Sequence, residues 1–101
     1  MQSPLLSVIP ALQDGVRLED KGEEHYLSDP ASGTLAMLDN YVAQRIVREV
    51  DGRSAVREIC DRIGREFGDV APSRIQQDVV EMFDVLEQQR LIVFHEHDGN
   101  G

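Results

Sequence analysis

SRIQQDVVEMFDVLEQQRLI, residues 73–92, decides the architecture. Its spacing predicts the longest helix of the chain. Ser73 can act as N-cap with Gln76 three residues on, the spacing of a capping box. Pro72 prevents any preceding helix from running into it. Ile75, Val79, Met82, Phe83 and Leu86 then fall on one helical face. That stripe needs a surface to cover. Val80 and Val85 lie off it on opposite sides and widen the apolar surface beyond one core contact.

Upstream, Val16-Arg17-Leu18-Glu19 alternates apolar and charged residues, as a half-buried strand does. Asp20-Lys21-Gly22-Glu23 reads as a hairpin turn, His25-Tyr26-Leu27 as the returning strand, and Asp29-Pro30-Ala31-Ser32-Gly33 as a second turn. Residues 34–38, TLAML, are the third strand. The pattern then changes period. Asp39 or Asn40 can cap a helix carrying Val42, Ala43, Ile46, Val47 and Val50, closed by Gly52 as its C′ residue. Ser54 caps the next, whose face is Val56, Ile59, Cys60, Ile63 and Phe67, and Gly68 ends it. Leu91-Ile92-Val93-Phe94 suits a closing strand or packed tail. Strands followed by helices make an α+β fold. Its form is winged helix-turn-helix-like: a three-stranded antiparallel sheet followed by three helices. The expected division is an extended arm over 1–14, the folded domain over 15–94 and a polar tail over 95–101.

The 101 residues make one small domain, burying roughly 60–65% of its unfolded surface. A net charge of −9 disfavours nucleic-acid phosphates and anionic membranes. The single cysteine, Cys60, excludes an internal disulfide and suits a reducing compartment. The start, MQSPLLSVIPAL, has no basic leader and is broken by Pro4 and Pro10, so neither a signal peptide nor a membrane span is expected. The expected location is the cytoplasm.

No catalytic or cofactor-binding constellation emerges. Gly15, Gly22 and Gly33 are scattered turn residues, not a phosphate loop. His95, Glu96 and His97 lack the further fixed ligands of a metal site. Cys60 sits on an apolar helix face without a basic neighbour, as an inert thiol does. Asp78, Glu81, Asp84 and Glu87 read as a solvated face, and His25 as a surface residue. A winged helix that reads DNA needs basic or amide side chains on its third helix. Here Arg74 and Arg90 stand against those four carboxylates. The arginines of the first two helices and their loop, from Arg45 to Arg65, are interspersed with Glu49, Glu58, Asp61 and Glu66.

A peptide-binding role fits better. A sheet this small has open edges, each a row of unpaired backbone groups to which an extended peptide can add as a strand. Thr34, Leu35, Ala36, Met37 and Leu38 against the long helix would form the groove, with Met37, Met82 and Val85 as adaptable walls. Taken singly, each of these residues suits core packing slightly better.

IPALQDGVRLED (9–20), the Asp29-Pro30 turn, YVAQRIVREVDGRSAVREICDRIGREF (41–67) and IQQDVVEMFDVLEQQRLI (75–92) together resemble the coenzyme PQQ synthesis protein D family. More broadly, the chain is similar to the recognition elements of ribosomally made, modified peptides. The likeness covers roughly residues 9–94. It implies three strands packed on three helices, with no catalytic activity and no cofactor. It also implies binding of a precursor peptide's leader and its presentation to a radical SAM enzyme. By position, the resemblance places that peptide along residues 34–38 and beside Asp78, Val79, Met82 and Val85. The turn after Tyr26-Leu27 is longer and less apolar than the family's usual Pro-Glu-Gly turn, which keeps open a different modified-peptide pathway. A winged-helix DNA regulator is the remaining alternative.

Overall fold

A computed structural model describes residues 4–96, excluding the side chains of Pro4 and Leu5. A short 3-10 turn, Pro4–Ser7, leads into β1 (Val8–Leu12). The three-stranded sheet follows: β2 (Arg17–Lys21), β3 (Glu24–Asp29) and β4 (Thr34–Met37). Three helices come next: α1 (Tyr41–Arg48), α2 (Val56–Glu66) and α3 (Pro72–Gln88). The final strand is β5 (Ile92–Glu96). The expected α+β, winged helix-turn-helix-like architecture is therefore the one observed, with β2-β3-β4 antiparallel and in that order.

Both hairpins form where the turn chemistry sits. β2 and β3 are joined by Gly22-Glu23 alone, and Gly22 takes the positive φ of 62° that such a tight loop favours at its first position. In the β3–β4 loop the Asp29 carboxylate accepts from the Ala31 N–H at 3.1 Å and from the Ser32 hydroxyl at 3.0 Å. The side chain of the residue before Pro30 thus ties the loop to itself.

The stretch expected as an arm over 1–14 contains β1, paired antiparallel with β5 from Val8↔Glu96 to Leu12↔Ile92. Pro10 is buried, and Leu6 is only 5% exposed within the core cluster. β1 and β5 thus form a second small sheet. β5 also begins the polar tail expected over 95–101, since His95 and Glu96 pair with Ile9 and Val8. His97 lies outside the described residues.

The core is built from one stripe per helix. Ile75, Val79, Phe83 and Leu86 of α3 are buried, as are Val56, Ile59 and Ile63 of α2 and Ile46 and Val47 of α1. Leu27 at the sheet centre and Leu91 and Ile92 after α3 complete it. Phe83 meets Phe94 of β5 edge-on, with ring centres 6.5 Å apart. Each such side chain contributes about 1.5–3 kcal/mol on burial.

Several helix ends differ from expectation. Asn40 caps α1, accepting from the Ala43 N–H at 2.8 Å, but that helix stops at Arg48 and Gly52 lies in the loop beyond. α2 starts from Ala55, whose N–H donates to Glu58 at 2.9 Å. Ser54 is instead buried, donating to Asp51 at 3.1 Å and accepting from Arg62 at 2.9 Å. α3 starts from Ala71 with Pro72 in its first turn, so the Ser73–Gln76 box does not form. Proline's missing N–H costs nothing there. α3 also ends before the expected residue 92. The Leu91 N–H donates to the Leu86 carbonyl and the Arg90 N–H to the Glu87 carbonyl, a Schellman closure. Arg90 holds the left-handed position at φ 62°.

An ionic network ties α1 to α2. Arg45 donates to Glu66 at 2.8 Å and to Glu49 at 3.3 Å, Arg62 donates to Glu49 at 3.3 Å, and the Tyr41 hydroxyl donates to Glu66 at 3.0 Å. The hydrogen bond from Arg45 holds the Glu66 carboxyl below its usual range, with smaller help from Tyr41.

Two outcomes follow from these local geometries. Arg90→Gly removes left-handed strain, and thermal unfolding should show a gain of about 0.5–1 kcal/mol after glycine's added chain entropy. A lower Tm than the parent would contradict that assignment. Glu66 releases its proton more readily folded than unfolded. Its contribution is therefore complete above the ordinary carboxylate range and fades as pH falls through its lowered folded value. The Tm gap between the parent and Glu66→Gln should accordingly be widest near pH 7 and close below about pH 4. A gap independent of pH would contradict the network's role.

Candidate functional site

The three-stranded sheet has two outer strands, and they differ. β2 carries Arg17, Glu19, Asp20 and Lys21, and Arg48 of α1 donates to Asp20 at 3.1 Å beside it. Asp20 also pairs with His25 of β3. That bond outweighs the opposing effect of burial and, with lesser help from the charge of Arg48, keeps the Asp20 carboxyl below its usual range. A charged strand is a poor template for further pairing. β4, TLAM, has no charged side chain.

The register of β4 determines which backbone groups it offers. The Leu38 N–H donates to the His25 carbonyl at 2.8 Å, and β3 pairs run Tyr26↔Met37, Leu27↔Ala36, Ser28↔Leu35 and Asp29↔Thr34. Antiparallel pairs alternate between bonded and non-bonded. Residues 36 and 38 therefore turn their amides inward to β3. Leu35 and Met37 turn theirs out to the open border. Their side chains are 53% and 44% exposed.

Beside this border lies a groove of about 800 Å³ between β4, the start of α1 and α3. Its apolar lining comes from Ala36 and Leu38, from Val42, Ala43 and Ile46 of α1, and from Met82 and Leu86 of α3. Ala36 and Ala43 have short side chains, which leaves space that larger residues would fill. Val85, 51% exposed, stands at its rim with Asp39, Asp78 and Glu81.

Of the nine residues expected here, the structure brings Leu35, Ala36, Met37, Leu38, Asp78, Met82 and Val85 together on the groove. Thr34 does not line it. Its hydroxyl and N–H bond to Ser32 at 2.8 and 3.2 Å, closing the preceding turn. Val79 is completely buried, because it falls on the stripe of α3 that packs into the core. The α1 wall was missed, although Val42, Ala43 and Ile46 recur at helical spacing. That spacing says the residues share a face, but not that part of the face stays open.

Among the described residues, no group of three or more His, Cys, Asp or Glu side chains could hold a metal. No described helix is long and apolar enough to cross a membrane. Cys60 is half-buried, and burial, followed by the charge of Asp61, pushes its thiol up to about 11, so almost no thiolate forms at neutral pH. The site offers backbone pairing, apolar contact and negative charge, which are means of binding.

Known proteins place this architecture. The family described as coenzyme PQQ synthesis protein D (PqqD) matches residues 24–92. A "PqqA binding protein" of Xanthomonas axonopodis pv. citri (strain 306) is 32% identical over 84 residues, 82% of this chain and 88% of its own. Its counterpart in Xanthomonas campestris pv. campestris (strain B100) is 33% identical over the same shares. Among solved structures, the PqqD truncation of Methylobacterium extorquens PqqCD, a stand-alone RiPP recognition element, is similar with a TM-score of 0.67 and 31% identity. That likeness covers 85% of this chain and 88% of the other. TbiB1, solved in complex with the TbiA(beta) leader peptide, shares the fold with a TM-score of 0.71 at 24% identity, covering 81% and 93%. These relatives are named for binding rather than for a reaction. On sequence and on architecture alike, the chain belongs to the coenzyme PQQ synthesis protein D (PqqD) family.

Proposed function

We propose that this protein is a non-catalytic peptide chaperone. It binds the leader region of a PqqA-like precursor peptide by strand addition and presents it to a radical SAM modifying enzyme in PQQ biosynthesis. The observation that carries this reading is the uncharged β4 border, with the Leu35 and Met37 amides facing outward, set against an apolar-floored groove. A guest strand would gain backbone hydrogen bonds from those two residues. Its alternate side chains would descend towards Ala36, Met82 and Leu86. Membership of the PqqD family and the PqqA-binding Xanthomonas relatives support the choice of peptide. The single cysteine suits action in the cytoplasm. The DNA-reading alternative is disfavoured because the exposed flank of α3 bears Asp78, Glu81 and Asp84, which would repel phosphates.

Titration of a PqqA-type peptide by calorimetry should give one saturable site per chain. Val85→Asp alters an exposed rim residue and should weaken binding roughly tenfold or more, by charging the apolar wall. Met82→Asp, set deeper, should weaken it further. Circular dichroism of both variants should match the parent. Undiminished affinity in both folded variants would contradict this use of the groove.

A further inference from the structure

The rim of the groove has one sign of charge. Asp39, Asp78 and Glu81 line it, and no lysine, arginine or histidine does among the described residues. The partners these carboxylates already have are weak. Arg74 reaches Asp78 at 3.4 Å from a side chain that is 70% exposed, and Glu81 accepts from the neutral Gln77 at 3.2 Å. Both acceptors keep lone pairs for a guest. The whole chain carries −9, so the surrounding field reinforces the rim.

Spacing along α3 adds a pattern. Asp78 and Met82 stand one turn apart on the flank that faces the groove, as do Glu81 and Val85. Four residues of helix rise about 6 Å. Alternate residues of a strand are about 6.8 Å apart. A guest strand running along α3 would thus set one inward side chain beside the carboxylates and the next, two residues on, beside the Met82–Val85 wall.

We infer that the segment accepted by this groove is cationic: a strand with a lysine or arginine two residues from an aliphatic side chain on the same face. This rests on the peptide-docking function proposed above and specifies the chemistry of the guest. The basic residue meets Asp78 and Glu81, and the aliphatic one covers Met82 and Val85.

The test uses nine-residue Ser/Thr-based peptides with leucine and valine at alternate positions. A third same-face position carries lysine, glutamine or glutamate, in both chain directions. Each is titrated into the 15N-labelled full chain at low salt, and affinity is read from the Leu35 and Met37 amides. The lysine peptide should bind roughly tenfold tighter than the glutamate peptide, with glutamine between them. In Asp78→Asn/Glu81→Gln, whose side chains are solvent-facing and nearly isosteric, the spread should shrink to about threefold or less, the part left to Asp39 and the overall charge. Added salt should shrink the preference in the parent. Equal affinities in the parent, or a lysine preference undiminished in the double variant, would overturn the inference while leaving peptide docking intact. Failure of every peptide to move the two amides would overturn both. Groove shifts on simple dilution of the protein would assign the site to a second copy and likewise overturn the inference.

Discussion

Burial of Val79, Phe83 and Leu86 on one side of α3 is the constraint from which the remaining geometry follows. These side chains have only one place to go, the space bounded by α2, Leu27 of the sheet and the β5 segment. Once they occupy it, the rotation of α3 about its own axis is settled. Met82 and Val85, one step round the helix, must then face β4, and Asp84 and Glu87 must face water. Leu91, folded back by the Schellman closure onto Leu86, aims the chain into β5. β5 in turn captures β1, so packing of one helix also decides where this second sheet sits.

The same rotation gives α3 two jobs with two different surfaces. Its buried stripe gives the domain its stability. Its flank serves as the wall of an open groove whose opposite side is a strand border. Charge is distributed accordingly. β2, the border away from the groove, is protected by Arg17, Glu19, Asp20 and Lys21, which makes it unattractive to another strand. β4 has no such protection, and the carboxylates nearby stand on α1's approach and on α3 instead. A three-stranded sheet with two outer borders therefore offers one of them.

Much of this was legible in the residues. Period-2 alternation in 16–19, helical spacing in 42–47 and 56–67 and the stripe of α3 are strong local signals, because each element buries one face. Helix ends were less so. Ser54 and Ser73 have the side chains of N-caps, yet Ser54 is drawn into a buried cluster with Asp51 and Arg62, and Pro72 moves the start of α3 forward. Tertiary contacts that no local window contains decide such cases. The pairing of β1 with β5 was equally invisible as a pair, since its two strands lie some eighty residues apart. Around the groove, Leu35 and Met37 could be read from the alternation of a short strand. Val79 could not be separated from Met82 by residue type, because both are apolar and neighbours on the helix surface. Only the position of the packed stripe tells which one is covered and which one lines an opening.

The outward amides of β4 are the point on which this account turns, and amide hydrogen exchange reads them residue by residue. In the free protein the Leu35 and Met37 amides should exchange quickly while those of Ala36 and Leu38, bonded to β3, exchange slowly. Saturation with a PqqA-type peptide should slow Leu35 and Met37 to the rates of their neighbours. Slow exchange at all four positions without peptide, or fast exchange at Leu35 and Met37 with the peptide fully bound, would contradict it.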